Sequence, residues 1–237
     1  MKALIIGGTK GFGKEISDNL INNGIGVITV SRSKIHYKDH LHYRCDLSNL
    51  MLWKRCINKI LKENKDIELI FFVYGFAKPK NFINLNTNDW LKSFSTNVVY
   101  IALLLQKLED KLQKKNIMKI VTIGSQWSYK IGCDYLVPYT ISKHGLRTLT
   151  EGFAQRNKNI IINCICVPTM DTPGYYKIRK EFEKLGRKEL IGMSKGLVAD
   201  HKHIANEVVR LTLKNNESGA TYIITSEGKI GKLKNHN

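Results

Sequence analysis

The chain has 237 residues, 43% of them hydrophobic, and a formal net charge of +18. This length suits one α/β domain that needs no disulfide or metal, and five scattered cysteines without a C-x-x-C pair favour a cytoplasmic protein over a disulfide framework or a zinc site. No stretch approaches the roughly 18 apolar residues of a membrane span, so no membrane association is expected.

The positive charge is spread along the chain. Lysine is mixed with asparagine and isoleucine throughout, so compositional bias with a solvated surface is the first interpretation. An acidic or phosphorylated small molecule comes second, and nucleic acid comes last because no recognised nucleic-acid module accompanies the charge.

The first apolar run ends at a glycine-rich turn. Residues 2–6 predict a strand, and a helical pattern follows the turn. The glycines are spaced G-x-x-x-G-x-G, which lets backbone N–H groups and a helix N-terminus approach a pyrophosphate. A tight turn without a ligand is the alternative, but the strand-turn-helix position favours a phosphate cradle. The predicted cradle consists of Gly7, Thr9, Lys10, Gly11, Phe12 and Gly13.

A second strand, residues 26–30, is followed by Arg32. In dinucleotide-binding folds an acid at this place accepts from the ribose 2′-hydroxyl, whereas an arginine accommodates a 2′-phosphate. No acid is present, so Arg32, helped by Lys10, predicts NADP(H) over NAD(H). Two solvated cations are the alternative. Residues 42–45 predict a third strand ending at Asp46, whose side chain suits an adenine amino group.

The middle of the chain alternates helical and apolar patterns. Residues 69–74 form a continuous apolar run ending at Gly75, typical of a parallel strand buried on both faces. Asn97 precedes an apolar run over residues 98–105 that is too long for a strand. This run predicts a helix that is apolar all round and buried in the core or against another subunit.

A fifth strand over residues 118–123 leads to Ser125, and a helix opens near Tyr139 and Lys143. Residues four apart share a helix face, so the phenol and the ammonium can point into one cleft, where the positive charge favours the phenolate. The Tyr-x-x-x-Lys spacing alone carries little weight, since it also begins at Tyr74 and Tyr176. Only Tyr139 has a hydroxyl upstream at a strand end and a helical pattern downstream.

A sixth strand over residues 160–167 stops at Pro168. Residues 170–196 predict a long, polar, basic lid, because loops of more than about 12–15 residues in compact domains are usually lids or mobile segments. A solvated helix explains the same alternating charge. The remaining predicted elements are a helix over residues 204–213, a seventh strand over 220–225 and a frayed basic tail from Lys229.

Taken together, this order of motifs resembles the short-chain dehydrogenase/reductase family over essentially the whole chain. The glycine turn matches the family's T-G-x-x-x-G-x-G, with Ile6 in place of threonine. Two departures alter the nicotinamide side of the cleft: residues 72–75 replace N-N-A-G, and Pro168-Thr169 replaces Pro-Gly. The other matches are Asp46 with the adenine-contacting Asp, Asn97 with the Asn of the tetrad, and Ser125, Tyr139 and Lys143 with the catalytic Ser and Tyr-x-x-x-Lys.

The resemblance implies a Rossmann-like, doubly wound parallel sheet of about seven strands in one NAD(P)-binding domain, residues 1–237. It implies that Tyr139 gives a proton to a carbonyl oxygen as hydride arrives from the nicotinamide, while Ser125 donates a hydrogen bond to that oxygen. Lys143 would lower the pKa of the phenol and hold the nicotinamide ribose, and Asn97 would order a water. Gly75, Lys143, Pro168 and Thr172 complete the expected cofactor contacts.

The expected function is that of an NADP(H)-dependent oxidoreductase acting on a small carbonyl or secondary alcohol. A 3-oxoacyl group on an acidic carrier and a sugar or polyol phosphate both suit the basic lid, and the sugar or polyol phosphate fits the departures at residues 72–75 somewhat better. A non-catalytic NADP-binding sensor or scaffold is the alternative. The resemblance also implies a homodimer or homotetramer built on the helices of Asn97 and Tyr139. Secondary expectations concern Ser128 as a substitute for Ser125, Trp127 and Tyr135 as pocket walls, and His144 as a structural residue.

Overall fold

A twisted sheet of eight strands forms the centre of the computed structural model, which describes residues 1–35, 40–111, 117–130, 132–156, 158–187, 189–190 and 198–233. The strands are β1 (Lys2–Ile6), β2 (Gly26–Ser31), β3 (Leu41–Arg44), β4 (Ile67–Phe72), β5 (Met118–Ser125), β6 (Ile160–Val167), β7 (Thr221–Ile224) and β8 (Ile230–Lys232). Their order is β3-β2-β1-β4-β5-β6-β7-β8. All neighbours pair in parallel except β7 and β8, which are antiparallel.

Helices cover both faces of this sheet. They are α1 (Gly11–Asn22), α2 (Leu50–Glu63), α3 (Thr87–Phe94), α4 (Tyr100–Lys111), α5 (Val137–Ala154), α6 (Pro173–Lys184) and α7 (His201–Lys214). Local polar side chains fix several helix starts. Asn49 accepts a hydrogen bond from the Leu52 amide at the start of α2, and Asn86 and Asp89 form a capping box on α3.

Apolar strands give the sheet two buried faces. Successive strand residues point to opposite sides, so Leu4 and Ile70 enter the core beneath α2, α4 and α5, whereas Ile5 and Phe71 enter the core beneath α1 and α7. All four side chains are fully buried. Continuous apolar runs are therefore required in the central strands, and this arrangement confirms the predicted doubly wound α/β fold.

The strand order reverses next to β1, which pairs with β2 on one side and with β4 on the other. Open parallel sheets bind ligands at such a switch point, in the crevice outside the carboxyl ends of the strands. The glycine turn after β1 and the segment after β4 both lie at this crevice.

The structure decides one alternative and corrects one prediction about elements. Residues 173–184 form α6, in agreement with the helix alternative for this segment, so Tyr176 is helical; Thr172 caps this helix by accepting from the Tyr175 amide. Ile230–Lys232 pairs with β7 instead of fraying. The helix predicted after Asn97 forms as α4, and the apolar side chain of Val99 just before it is 43% exposed. Parts of the predicted lid (188 and 191–196) and of the tail (234–237) lie outside the described residues.

No helix within the described ranges combines the length and the apolar character that crossing a membrane requires.

Candidate active site

An open cleft of about 540 Å³ lies at the carboxyl ends of the central strands. Its size is typical of sites for small molecules and cofactors. Most of the predicted site residues line it: Gly7, Lys10, Gly11, Phe12, Gly13, Arg32, Gly75, Ser125, Tyr139, Lys143, Pro168 and Thr172. Thr9, Asp46 and Asn97 lie outside the lining.

The glycine turn is closed so tightly that side chains would not fit. Gly7 has a φ of +96°, and a Cβ there would lie 2.9 Å from the Tyr74 amide nitrogen. A Cβ on Gly13 would overlap the carbonyl oxygen of Gly7. The turn passes directly into the first turn of α1, whose N–H groups have no partners within the helix. Such a backbone cradle fits the pyrophosphate of a dinucleotide.

Three catalytic candidates meet beyond the turn. Ser125 ends β5, and its side chain lies close enough to the phenol of Tyr139 on α5 to lower the pKa of that phenol. Lys143, one helical turn further along, is 5% exposed, and its Nζ donates to the carbonyl oxygen of Ile123 at 2.7 Å. The same Nζ lies 5.8 Å from the centre of the Tyr139 ring. A hydroxyl, a phenol and an ammonium therefore line one cleft together with the glycine turn.

Burial controls the protonation of this group. It raises the pKa of Tyr139, against the smaller lowering effect of the nearby Ser125 side chain. Burial also lowers the pKa of Lys143 to about 8. Desolvation is the largest influence on the pKa of Tyr139, and the lowering of that pKa by Lys143 stays a prediction. At neutral pH the phenol is protonated and can donate.

Asn97 lies in a π-helical segment, Ser95–Val99, between α3 and α4. Such segments are rare and frequently lie at functional sites. Its fully buried amide accepts from the Phe76 amide at 2.8 Å and donates to the Phe76 carbonyl at 2.9 Å and to Ser142 Oγ at 2.8 Å. The side chain thus holds the segment after β4 and lies outside the cleft lining, and its role in ordering a water stays a prediction.

The other two predicted residues outside the lining are occupied with neighbours. Thr9 Oγ1 donates to Ser31 Oγ at 2.8 Å, which ties the glycine turn to the end of β2. Asp46 Oδ1 accepts from the amide and the hydroxyl of Ser48, and these bonds lower the pKa of Asp46. Both side chains build the scaffold around the cleft instead of lining it.

The four residues with secondary expectations have different positions in the structure. Ser128 is fully buried, and its Oγ accepts from the Ser125 amide at 3.0 Å, so it supports Ser125 rather than replacing it. Trp127 lines the cleft. Tyr135 does not; it packs against Phe182 of α6, with ring centres 6.2 Å apart. His144 Nδ1 lies 3.0 Å from the Thr140 carbonyl oxygen, a bond within its own helix.

Helix α6 forms one wall of the cleft, and the sequence did not predict which of its residues face the cleft. Its start lies against the glycine turn, since a Cβ on Gly11 would lie 2.9 Å from Pro173 Cδ. Apolar residues of α6 face the cleft, among them Ile178 and Phe182. Lys177 and Arg179 also line it. The alternating pattern of this stretch was visible in the sequence, but its inner face was not assigned.

A second feature was missed at the adenosine end. Tyr74 lines the cleft, and Arg32, which also lines it, acts electrostatically on its phenol. The sequence interpretation placed Tyr74 inside a strand, yet β4 ends two residues earlier, at Phe72. The available signal was the departure from N-N-A-G, which puts an aromatic residue where the resembled family has alanine.

Charge in the cleft has one sign. Five of its lining residues are cations, and no aspartate or glutamate of the described chain lines it. The cationic residues are Lys10, Arg32, Lys143, Lys177 and Arg179. This composition suits an anionic ligand.

Comparison with known proteins gives a consistent result. The family model described as short chain dehydrogenase matches residues 1–183. The 3-oxoacyl-[acyl-carrier-protein] reductase FabG of Buchnera aphidicola subsp. Acyrthosiphon pisum is 28% identical over 173 residues, covering 69% of this chain and 70% of that protein.

Two solved structures share the fold. One is an actinorhodin polyketide ketoreductase with NADPH, with a TM-score of 0.81, 17% identity and coverage of 95% of each chain. The other is a 3-ketoacyl-(acyl-carrier-protein) reductase from Brucella melitensis complexed with NADH, with a TM-score of 0.78, 18% identity and coverage of 95% of this chain and 96% of the other.

Proposed function

The chain belongs to the short-chain dehydrogenase family and is an oxidoreductase acting on carbonyl or CH–OH groups; we propose that its cofactor is NADP(H) and its substrate a small carbonyl compound or the corresponding secondary alcohol. One observation carries this proposal. Ser125, Tyr139 and Lys143 all line the cleft that also contains the glycine turn, and Lys143 Nζ lies 5.8 Å from the centre of the Tyr139 ring.

The bound nicotinamide supplies or accepts the hydride. Tyr139 donates its phenolic proton to the substrate oxygen, a role favoured by the raised pKa that keeps the phenol protonated. Ser125 donates a hydrogen bond to the same oxygen and orients the phenol. Lys143, held by the Ile123 carbonyl, places a positive charge next to the phenolate that forms and stabilises it.

The preference for NADP(H) is supported by the charge at the adenosine end. Arg32 follows β2 where an acid would favour NAD(H), and Lys10 of the glycine turn also lines the cleft. A 2′-phosphate carries the negative charge that this pair of cations can bind.

The substrate end combines apolar walls with cations on α6. Leu136, Ile178 and Phe182 line it, together with Lys177 and Arg179. An apolar chain with an anionic group suits this composition better than a sugar does. Of the two substrate classes predicted, a 3-oxoacyl thioester on an acidic or phosphorylated carrier is therefore favoured over a sugar or polyol phosphate.

The remaining proposals concern assembly and location. Apolar side chains on helices near the cleft are exposed, namely Leu91, Val99 and Ile141. Their exposure supports a homodimer or homotetramer, because contiguous exposed apolar surface marks interaction sites. All five cysteines are free, in keeping with a reducing, cytoplasmic location.

The function is tested with Tyr139→Phe in an NADPH oxidation assay across 3-oxoacyl thioesters, simple ketones and sugar phosphates. Loss of the proton donor should lower turnover by about 10²-fold or more, while the dissociation constant for NADPH changes little. Tyr135→Phe, which removes a phenol outside the cleft lining, is the matched control. Near-normal turnover of Tyr139→Phe would refute the assignment. NADPH binding without oxidation of any substrate would indicate a sensor or scaffold.

A further inference from the structure

Tyr74 follows the end of β4 and lies beside the glycine turn. Its amide donates to the Ile6 carbonyl at 2.9 Å, which fixes its backbone against the end of β1. A Cβ on Gly7 would lie 3.1 Å from Tyr74 Cβ, so the two residues are in immediate contact. The ring packs at the edge of the core beneath α2 and α4, and the residue lines the cleft. Its position is therefore fixed by the fold rather than by a flexible loop.

The charged groups around the phenol identify the part of the cleft that it faces. Arg32, Asp46 and Tyr100 all act electrostatically on Tyr74. Arg32 is exposed and lines the cleft, whereas Asp46 is turned toward Ser48 and does not. The residue after the second strand faces the ribose 2′ position in this class of fold. Tyr74 thus lines the same cleft as Arg32, within electrostatic range of its charge, which places it toward the 2′ end of the cofactor site.

The hydroxyl of Tyr74 is available for a ligand. It makes no hydrogen bond to the part of the chain that the structure describes, in contrast to the neighbouring Tyr100, whose hydroxyl donates to the Ser48 carbonyl at 3.2 Å. Burial raises the pKa of Tyr74, and the nearby Arg32 only partly offsets this. At neutral pH the group is a neutral phenol that can donate one hydrogen bond.

A donor beside a guanidinium discriminates between the two cofactors. A phosphate oxygen accepts from both groups, and hydrogen bonds to a charged acceptor are about twice as strong as neutral ones. A ribose 2′-hydroxyl is neutral, and a guanidinium cannot accept its proton. We propose that Tyr74 is a second cofactor-selectivity residue, which donates to the 2′-phosphate of NADP(H) together with Arg32. This inference rests on the proposed function, because it concerns the cofactor of the same cleft.

The test is calorimetric titration of the full-length protein with NADPH, NADH and 2′,5′-ADP, a probe that carries the 2′-phosphate without nicotinamide. Tyr74→Phe keeps the ring and removes only the hydroxyl. It should weaken NADPH and 2′,5′-ADP binding by about 10–100-fold and NADH binding by less than about twofold. Tyr100→Phe, which removes a neighbouring phenol outside the cleft lining, should change none of the three.

A second substitution at Tyr74 and a double-mutant cycle with Arg32 test the same role of the hydroxyl. Tyr74→Gln retains a donor without the ring, and it should restore part of the NADPH preference. In a double-mutant cycle, Tyr74→Phe and Arg32→Gln should be non-additive for 2′,5′-ADP, because both groups bind one phosphate.

The outcomes separate this inference from the proposed function. Equal losses for NADPH and NADH in Tyr74→Phe, or no loss for either, would overturn the selectivity role while leaving the enzyme assignment intact. Tighter binding by Tyr74→Gln than by the wild type would show that the ring obstructs the site, and would also overturn it. A wild-type protein that binds neither dinucleotide would instead remove the proposed function itself.

Discussion

Replacing Lys143 by methionine should stabilise the protein while abolishing turnover. Burial lowers the pKa of Lys143 from 10.5 to about 8, and each pKa unit corresponds to about 1.36 kcal/mol. Keeping the ammonium charged in the fold therefore costs about 3 kcal/mol. Methionine has a similar length and no charge, but it loses the hydrogen bond to the Ile123 carbonyl, worth about 1 kcal/mol. The net gain near pH 7 is about 2 kcal/mol.

This gain should depend on pH with a definite sign. Between about pH 8 and 10.5 the unfolded chain holds a proton on Lys143 that the folded chain has lost. The free energy of unfolding of the wild type therefore rises with pH in this window. The advantage of Lys143→Met is complete below about pH 8 and shrinks above it. At pH 10.5 the missing Ile123 bond should leave the variant slightly less stable than the wild type.

Urea unfolding followed by tryptophan fluorescence at pH 7, 8, 9 and 10 measures the effect without cofactor. A gain of about 2 kcal/mol corresponds to about 4–8 °C in melting temperature for a chain of this size. Lys62→Met, at an exposed position on α2, is the control and should show no such pH dependence. A difference between Lys143→Met and the wild type that stays constant from pH 7 to 10 would refute the claim that a buried charge is held at a cost.

Two more predictions concern the turn and the assembly. Gly13→Ala should lower the free energy of unfolding in urea by about 1–3 kcal/mol, since its Cβ would overlap the Gly7 carbonyl oxygen. The control is Gly152→Ala on α5, which has open space around it and should raise the free energy of unfolding by up to about 1 kcal/mol. Equal effects of the two substitutions would contradict this steric account. Sedimentation velocity of the wild type should give the mass of a dimer or tetramer. The double substitution Val99→Glu and Ile141→Glu should lower the measured mass to the 27.1 kDa of a single chain. A monomeric wild type would rule out the proposed assembly.

Much of the fold was determined by local sequence. The strand bounds predicted for β1 and β6 agree with the structure, because a continuous apolar run between turn residues has few alternatives to a buried strand. The glycine turn was equally local, since its spacing and its place after β1 are properties of a few consecutive residues. The pairing of Tyr139 with Lys143 needed only the helical repeat. These features depend on neighbours in the chain, which the sequence lists directly.

Tertiary packing decided the rest. The bonds from Asn97 to Phe76 join residues 21 positions apart, and the sequence contains no pattern that specifies them. The inner face of α6 depends on Tyr135 packing against Phe182. The raised pKa of Tyr139 is a sum over all the atoms that exclude water from it. Periodicity and spacing therefore determined which elements form and which catalytic groups are present, whereas burial and contacts between distant residues determined where those groups point and whether they carry a proton.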